Sequence, residues 1–147
     1  MPHHALSLVL GLLVATPAAA RLTPDLEQAL DTATYVYVQS ERKSGELGKP
    51  AEIWFYVEGG SVYVGTRPGS WRVKRIKAGR TRARIAIGKP TGPAFDATGA
   101  LVQDPALAQR MMDAFAKKYP GGWPRHADGF REGFKTGARV LVRYTPR

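Results

Sequence analysis

Cysteine is absent from all 147 residues, so the chain can hold neither a disulfide framework nor a thiolate metal site. Histidine is nearly absent: His3 and His4 fall in the first residues, and only His126 follows, which excludes a multi-histidine metal centre. Acids are few, 12 against 22 Lys and Arg, and show no paired spacing of the kind that glycosidase-like acid–base chemistry uses. Between Gly59 and Phe95 there is no Asp or Glu at all. No Gly-x-x-x-x-Gly-Lys-Ser/Thr loop occurs, and the glycines do not fit the dinucleotide fingerprint. A serine triad would rest entirely on His126, which reads as a solvated loop histidine.

What is present is a chain of one-domain length with 44% apolar residues, enough to bury a core. Its net charge of +10 favours an anionic partner without specifying a fold. The opening "ALSLVLGLLVATPAAA" is an uncharged apolar run ending in small residues before Arg21. It predicts a secretory signal peptide over residues 1–20, removed on export to the periplasm or beyond, with a cytoplasmic chain as the alternative. The run is too short and poorly flanked for a stable membrane span.

From residue 21 onward the pattern is a short helix, "TPDLEQALDTA", then strands. "TYVYVQS" alternates, and "AEIWFYV" and "SVYVGT" are joined by Gly59-Gly60 as a hairpin. Ser70 is placed to cap a short helix, "WRVKRIKA", in which Arg72 and Arg75 share a face and Lys74 points elsewhere. "TRARIAIG" sets Ala83, Ile85 and Ile87 against Arg82, Arg84 and Ala86, and "AFDATGALV" follows as a strand. The clearest helix runs over about 105–119, capped by Asp104, with Leu107, Met111, Ala114, Phe115 and Lys118 on one face. "PGGWPRHADGF" reads as a Gly- and Pro-rich loop before the last strand, "ARVLVRYT". Strands first and a helix late predict an antiparallel barrel with peripheral helices.

The segment from residue 62 to residue 88 carries eight Lys or Arg between two apolar strands. Thr66 ends a strand, a Pro-Gly loop follows, and Ser70, Arg72, Lys74 and Arg75 come next. Hydroxyls and guanidinium forks in that order outline a phosphate cradle.

The run "AEIWFYVEGGSVYVGTRPGSWRVKRIKAGRTRARIAIG" resembles the signature of the pyridoxamine-phosphate-oxidase-like, FMN-binding split-barrel superfamily. "KPTGPAFDATGALVQDP" and "AKKYPGG" resemble its deazaflavin-dependent branch. The resemblance covers roughly residues 30 to 122. It implies a six-stranded antiparallel split barrel, a homodimer, and a flavin (FMN) or deazaflavin coenzyme F(420) at the subunit interface. It further implies an oxidoreductase transferring hydride to a small molecule. Carried over by position, Thr66, Ser70, Arg72, Lys74 and Arg75 become the phosphate-binding set, and Trp54 and Phe55 lie on the strand passing near the ring system. A flavin brings its own hydride chemistry, which agrees with the missing acid–base pair. Two other readings stay open: a split-barrel cofactor- or ligand-binding protein without turnover, and a nucleic-acid or anionic-surface binder.

Overall fold

The structure is a computed structural model that describes residues 21–147; the expected signal peptide, residues 1–20, lies outside them. It contains α1 (Pro24–Thr32), β1 (Val36–Ser40), β2 (Ala51–Ile53), β3 (Tyr56–Glu58), β4 (Ser61–Thr66) and α2 (Trp71–Lys77). These are followed by β5 (Arg82–Ile87), β6 (Ala94–Val102), α3 (Pro105–Lys118), α4 (Trp123–Thr136) and β7 (Val140–Pro146). The strands form one antiparallel sheet in the order β2-β1-β5-β6-β7-β4-β3. Among the described residues no helix is long and apolar enough to cross a membrane.

The two edge strands, β2 and β3, are separated in sequence only by Trp54 and Phe55. The three steps from Ile53 to Tyr56 span no more than about 11 Å, so the sheet must curl until its edges meet. All seven strands accordingly send side chains into one core: Val36, Val38, Ile53, Val57, Val62, Val64, Ile85, Ala97, Val142 and Tyr144 belong to it. The sheet has seven strands where six are expected, because the segment over 51–58 breaks at Trp54-Phe55 and pairs with β1 on one side and β4 on the other.

Alternation explains which residues face inward. In β5, Ala83, Ile85 and Ile87 enter the core while Arg82 is exposed and Arg84 half-buried, and Ala86 is buried as well. Gly59 and Gly60 both take positive φ, 58° and 76°, as the tight turn between β3 and β4 requires. Leu22 and Leu30, beside and within α1, and Val73 of α2 join the barrel core. Thr23 caps α1 and Asp104 caps α3 through side-chain oxygens that accept from Leu26 and Leu107 N–H groups.

A second apolar layer covers the outside of β4 and β7. Leu107, Met111, Met112 and Phe115 of α3 and Trp123, Ala127 and Phe130 of α4 pack on Tyr63 and Leu141. This is why β4 is buried along its whole length, on both faces. Glu58 ties β3 to α3 through a forked pair with Arg110, 2.7 and 3.0 Å.

Helix α4 corrects the sequence reading, which makes residues 120–130 a loop. Pro124 sits in the first turn, where a missing N–H costs little. Trp123, Ala127 and Phe130 then recur at helical spacing and are buried. His126 therefore belongs to a helix; it is exposed, as the loop reading also had it.

Candidate functional site

Where β2 breaks from β3, the chain delivers two aromatic residues to opposite sides of the sheet. Phe55 turns into the barrel core and is 2% exposed, with the Lys118 ammonium 3.4 Å above its ring. Trp54 turns outward and stacks on Tyr119, with ring centroids 4.2 Å apart and planes 8° from parallel. The His126 ring meets Trp54 edge-on at 5.4 Å, and Phe115 does so at 5.6 Å.

Trp54 is one wall of a cleft of about 780 Å³ that is also bordered by Ile53, Gly65, Thr66, Arg67, Ser70, His126, Phe130 and Arg139. Thr66 comes from the end of β4, Arg67 and Ser70 from the loop before α2, and Arg139 from the residue preceding β7. Pairing of Thr66 with Val140 in the β4–β7 ladder sets these two ends side by side.

The position of Arg139 is fixed by close packing. Its backbone N–H donates to the Gly133 carbonyl at 3.0 Å, and its side chain crosses Gly133 where a Cβ would collide with Arg139 Cγ. The guanidinium then lies 4.0 Å over the Phe130 ring. Burial, with the Arg67 charge adding to it, holds its pKa below the ordinary arginine value. Neither Arg67 nor Arg139 belongs to any of the ion pairs formed among the described residues.

Ser70 occupies the N-cap position of α2 but makes no capping bond. Its Oγ is buried and has no hydrogen-bond partner. A buried hydroxyl without a partner costs free energy. Arg72 Nη1, Arg80 Nε and Tyr144 Oη are in the same position, but of these atoms only Ser70 Oγ belongs to a residue that borders the cleft. Two guanidinium groups free of carboxylates, two hydroxyls and an indole wall can together receive an anion attached to a flat ring.

The sequence-predicted site residues are divided by the structure. Trp54, Thr66 and Ser70 meet at the cleft. Phe55, Arg72, Lys74 and Arg75 do not border it. Arg75 donates to the Ser40 hydroxyl at 2.8 Å and to its carbonyl at 3.3 Å, clamping α2 to β1. Lys74 and Arg75 flank the ring of Trp71 at 5.1 and 5.5 Å. The buried Nη1 of Arg72 has no partner, and the Arg72 charge acts on Tyr144 in the barrel core. Lys74 thus joins Arg75 at the Trp71 ring, where the sequence reading has it point elsewhere. Arg67 and Arg139, which the sequence reading passes over, take the cationic places in the cleft.

No family model and no curated protein sequence matches the chain. Solved structures do. A candidate pyridoxamine 5'-phosphate oxidase from Listeria innocua superposes with a TM-score of 0.59 at 12% identity, covering 84% of this chain and 91% of its own. HutZ, the heme storage protein from Vibrio cholerae, gives 0.59 at 14% identity over 87% of this chain and 92% of its own. An F(420) reductase gives 0.53 at 17% identity over 82% of this chain and 92% of its own. The curled antiparallel sheet, its order of strands and these superpositions give the chain the split-barrel fold of the pyridoxamine-phosphate-oxidase-like proteins.

Proposed function

We propose that the Trp54–Arg139 cleft holds the phosphate-bearing end of a flavin-type cofactor, FMN or deazaflavin coenzyme F(420). In this reading the protein is an oxidoreductase that passes hydride to a small molecule. The observation that carries it is the orphaned Ser70 Oγ beside two carboxylate-free guanidinium groups. Arg67 and Arg139 would hold the phosphate, Thr66 and Ser70 would add hydroxyl donors, and Trp54 would flank the ring. The bound group would supply the redox chemistry. The chain itself binds, orients and shields. Fold neighbours that include an F(420) reductase and a candidate pyridoxamine 5'-phosphate oxidase support this choice of ligand.

We propose that a second copy completes the cleft in a homodimer. Light scattering at micromolar concentration should give twice the monomer mass, with FMN strengthening the association. A monomer under both conditions would defeat the dimer.

His126 favours a second reading, a binding protein without turnover. Its exposed imidazole at the cleft could ligate the iron of a heme, whose carboxylates would meet the same arginines. A fold neighbour is a heme storage protein. Native mass spectrometry of the purified protein, with its visible spectrum, separates the readings. A flavin mass with absorbance near its usual bands supports the first. A heme mass with a Soret band lost in His126→Ala supports the second.

A further inference from the structure

Trp71 is the most exposed large apolar side chain of the described residues, at 69%, although it opens a helix whose next residues are packed into the barrel. Val73 of α2 is fully buried and Ile76 packs against the same core. The opposite face carries Trp71, Lys74, Arg75 and Ala78, at the i, i+3, i+4 and i+7 spacing of one helical stripe. Lys77 is exposed on the same helix. Arg42 and Arg80 lie close enough to Arg75 for their charges, after burial, to lower its pKa. No acid occurs between Gly59 and Phe95, and none of the described ion pairs involves this stretch. Glu58 and Asp96 are the acids that border that stretch in sequence, and Glu41 and Glu46 lie on either side of Arg42.

We infer that this face of α2 is a docking surface for an anionic lipid bilayer, with Trp71 entering the headgroup layer and Lys74, Lys77 and Arg80 meeting lipid phosphates. Its charge selects an anionic partner and repels a second copy of the same face. An indole amid cations is the combination that settles at a membrane interface. Single-stranded nucleic acid would need several aromatic faces in a groove for stacking, whereas Trp71 is the one aromatic side chain of α2, with Lys74 and Arg75 at its ring. Insertion of the ring edge leaves those contacts intact. The surface adjoins the proposed cofactor cleft at Ser70, but neither Trp71 nor Lys74 borders that cleft.

The test is sedimentation of the full chain with vesicles of phosphatidylglycerol and phosphatidylcholine, against vesicles of phosphatidylcholine alone. The full chain includes residues 1–20, so the reading is the difference between the two vesicles and between variants. Partitioning should be at least tenfold stronger on the anionic vesicles and should fall as salt shortens the screening length. Trp71→Ala, an exposed change that leaves the fold intact, should lose several-fold. Lys74→Ser with Lys77→Ser should lose about fivefold per cation removed. Lipids brominated near the headgroup should quench the wild type more than Trp71→Ala. Equal binding to both vesicles, or binding indifferent to Trp71, would overturn the inference. So would tighter binding to a single-stranded oligonucleotide than to anionic vesicles.

Discussion

The backbone N–H of Phe55 donates to the hydroxyl of Tyr119 at 3.2 Å, and that hydroxyl donates in turn to the Thr34 carbonyl at 2.7 Å. One phenol at the end of α3 thereby satisfies the break between β2 and β3 and the start of β1. Both backbone groups lose this partner if the phenol goes. Tyr119→Phe keeps the stack on Trp54 but orphans the Phe55 N–H, which should cost about 1–3 kcal/mol. Urea unfolding of the two proteins, with equal m-values, is the check. An unchanged midpoint would show that solvent reaches the break.

Arg139 and Arg75 should separate affinity from stability. Each charge-assisted hydrogen bond to a phosphate contributes about 1.5–3 kcal/mol, so Arg139→Ala should weaken FMN binding roughly ten- to a hundredfold. Riboflavin, which lacks the phosphate, should bind the variant nearly as it binds the parent. Arg75→Ala should leave FMN affinity nearly intact and lower the unfolding midpoint, because its contacts go to Ser40. Fluorescence titration and urea unfolding of both variants decide it. Equal affinity losses at the two positions would replace the cleft with a diffuse basic surface.

Gly133 tests how the cleft arginine is held. A Cβ there collides with the Arg139 side chain and comes within 3.2 Å of its backbone N. Gly133→Ala should cost about 1–3 kcal/mol of stability through overpacking. It should weaken FMN binding in the parent and have almost no further effect on FMN in Arg139→Ala. Additive affinity losses in the double variant would separate the two residues.

Lys118 should give the protein an alkaline gain in stability. Burial pushes its amine down to about 8 from an ordinary value of 10.5, outweighing the Phe55 ring beneath it. Below about pH 8 both folded and unfolded chains carry the proton and the penalty of burying the charge is complete. Between about 8 and about 10 the unfolded chain binds more protons, so stability rises with pH. Tyr119 and Tyr144, pushed up to about 12 by burial, act in the opposite sense above about pH 10, where the unfolded phenols ionise first. The unfolding midpoint should therefore increase from about pH 7.5 to about pH 9.5, and Lys118→Met should remove that increase. A slope unchanged in Lys118→Met would assign the effect elsewhere.

The strands were legible because their alternation is enforced by a single curled core: Val36 and Val38 in β1 and Ala83, Ile85 and Ile87 in β5 all point where the sequence pattern puts them. Helix α4 was not, since Gly122, Pro124, Gly129 and Gly133 carry loop signals one residue at a time. Its evidence is collective, in the spacing of Trp123, Ala127, Phe130 and Phe134, and its glycines permit close approach: Gly133 leaves room for Arg139. Half of the candidate site shared this fate. Thr66 and Ser70 lie within the basic run that draws attention, but Arg139 reaches them only through the β4–β7 pairing. No local pattern announces such a meeting. The hydrogen bonds of Arg75 were illegible for the complementary reason: nothing in the sequence joins it to Ser40, 35 residues earlier.

The two-residue link at Trp54-Phe55 also works as a latch. Elsewhere neighbouring strands are held by ladders of hydrogen bonds, but along the seam of the barrel the joint is the covalent chain itself. A break in the backbone there would leave Tyr119, stacked on Trp54 and bonded to the Phe55 N–H, as the remaining bridge across the seam. It would also part the indole of the cleft from the phenyl ring of the core. A circular permutant opened between Trp54 and Phe55 should consequently lose barrel closure and cleft in one event, while one opened at the exposed Gly59-Gly60 turn should retain both.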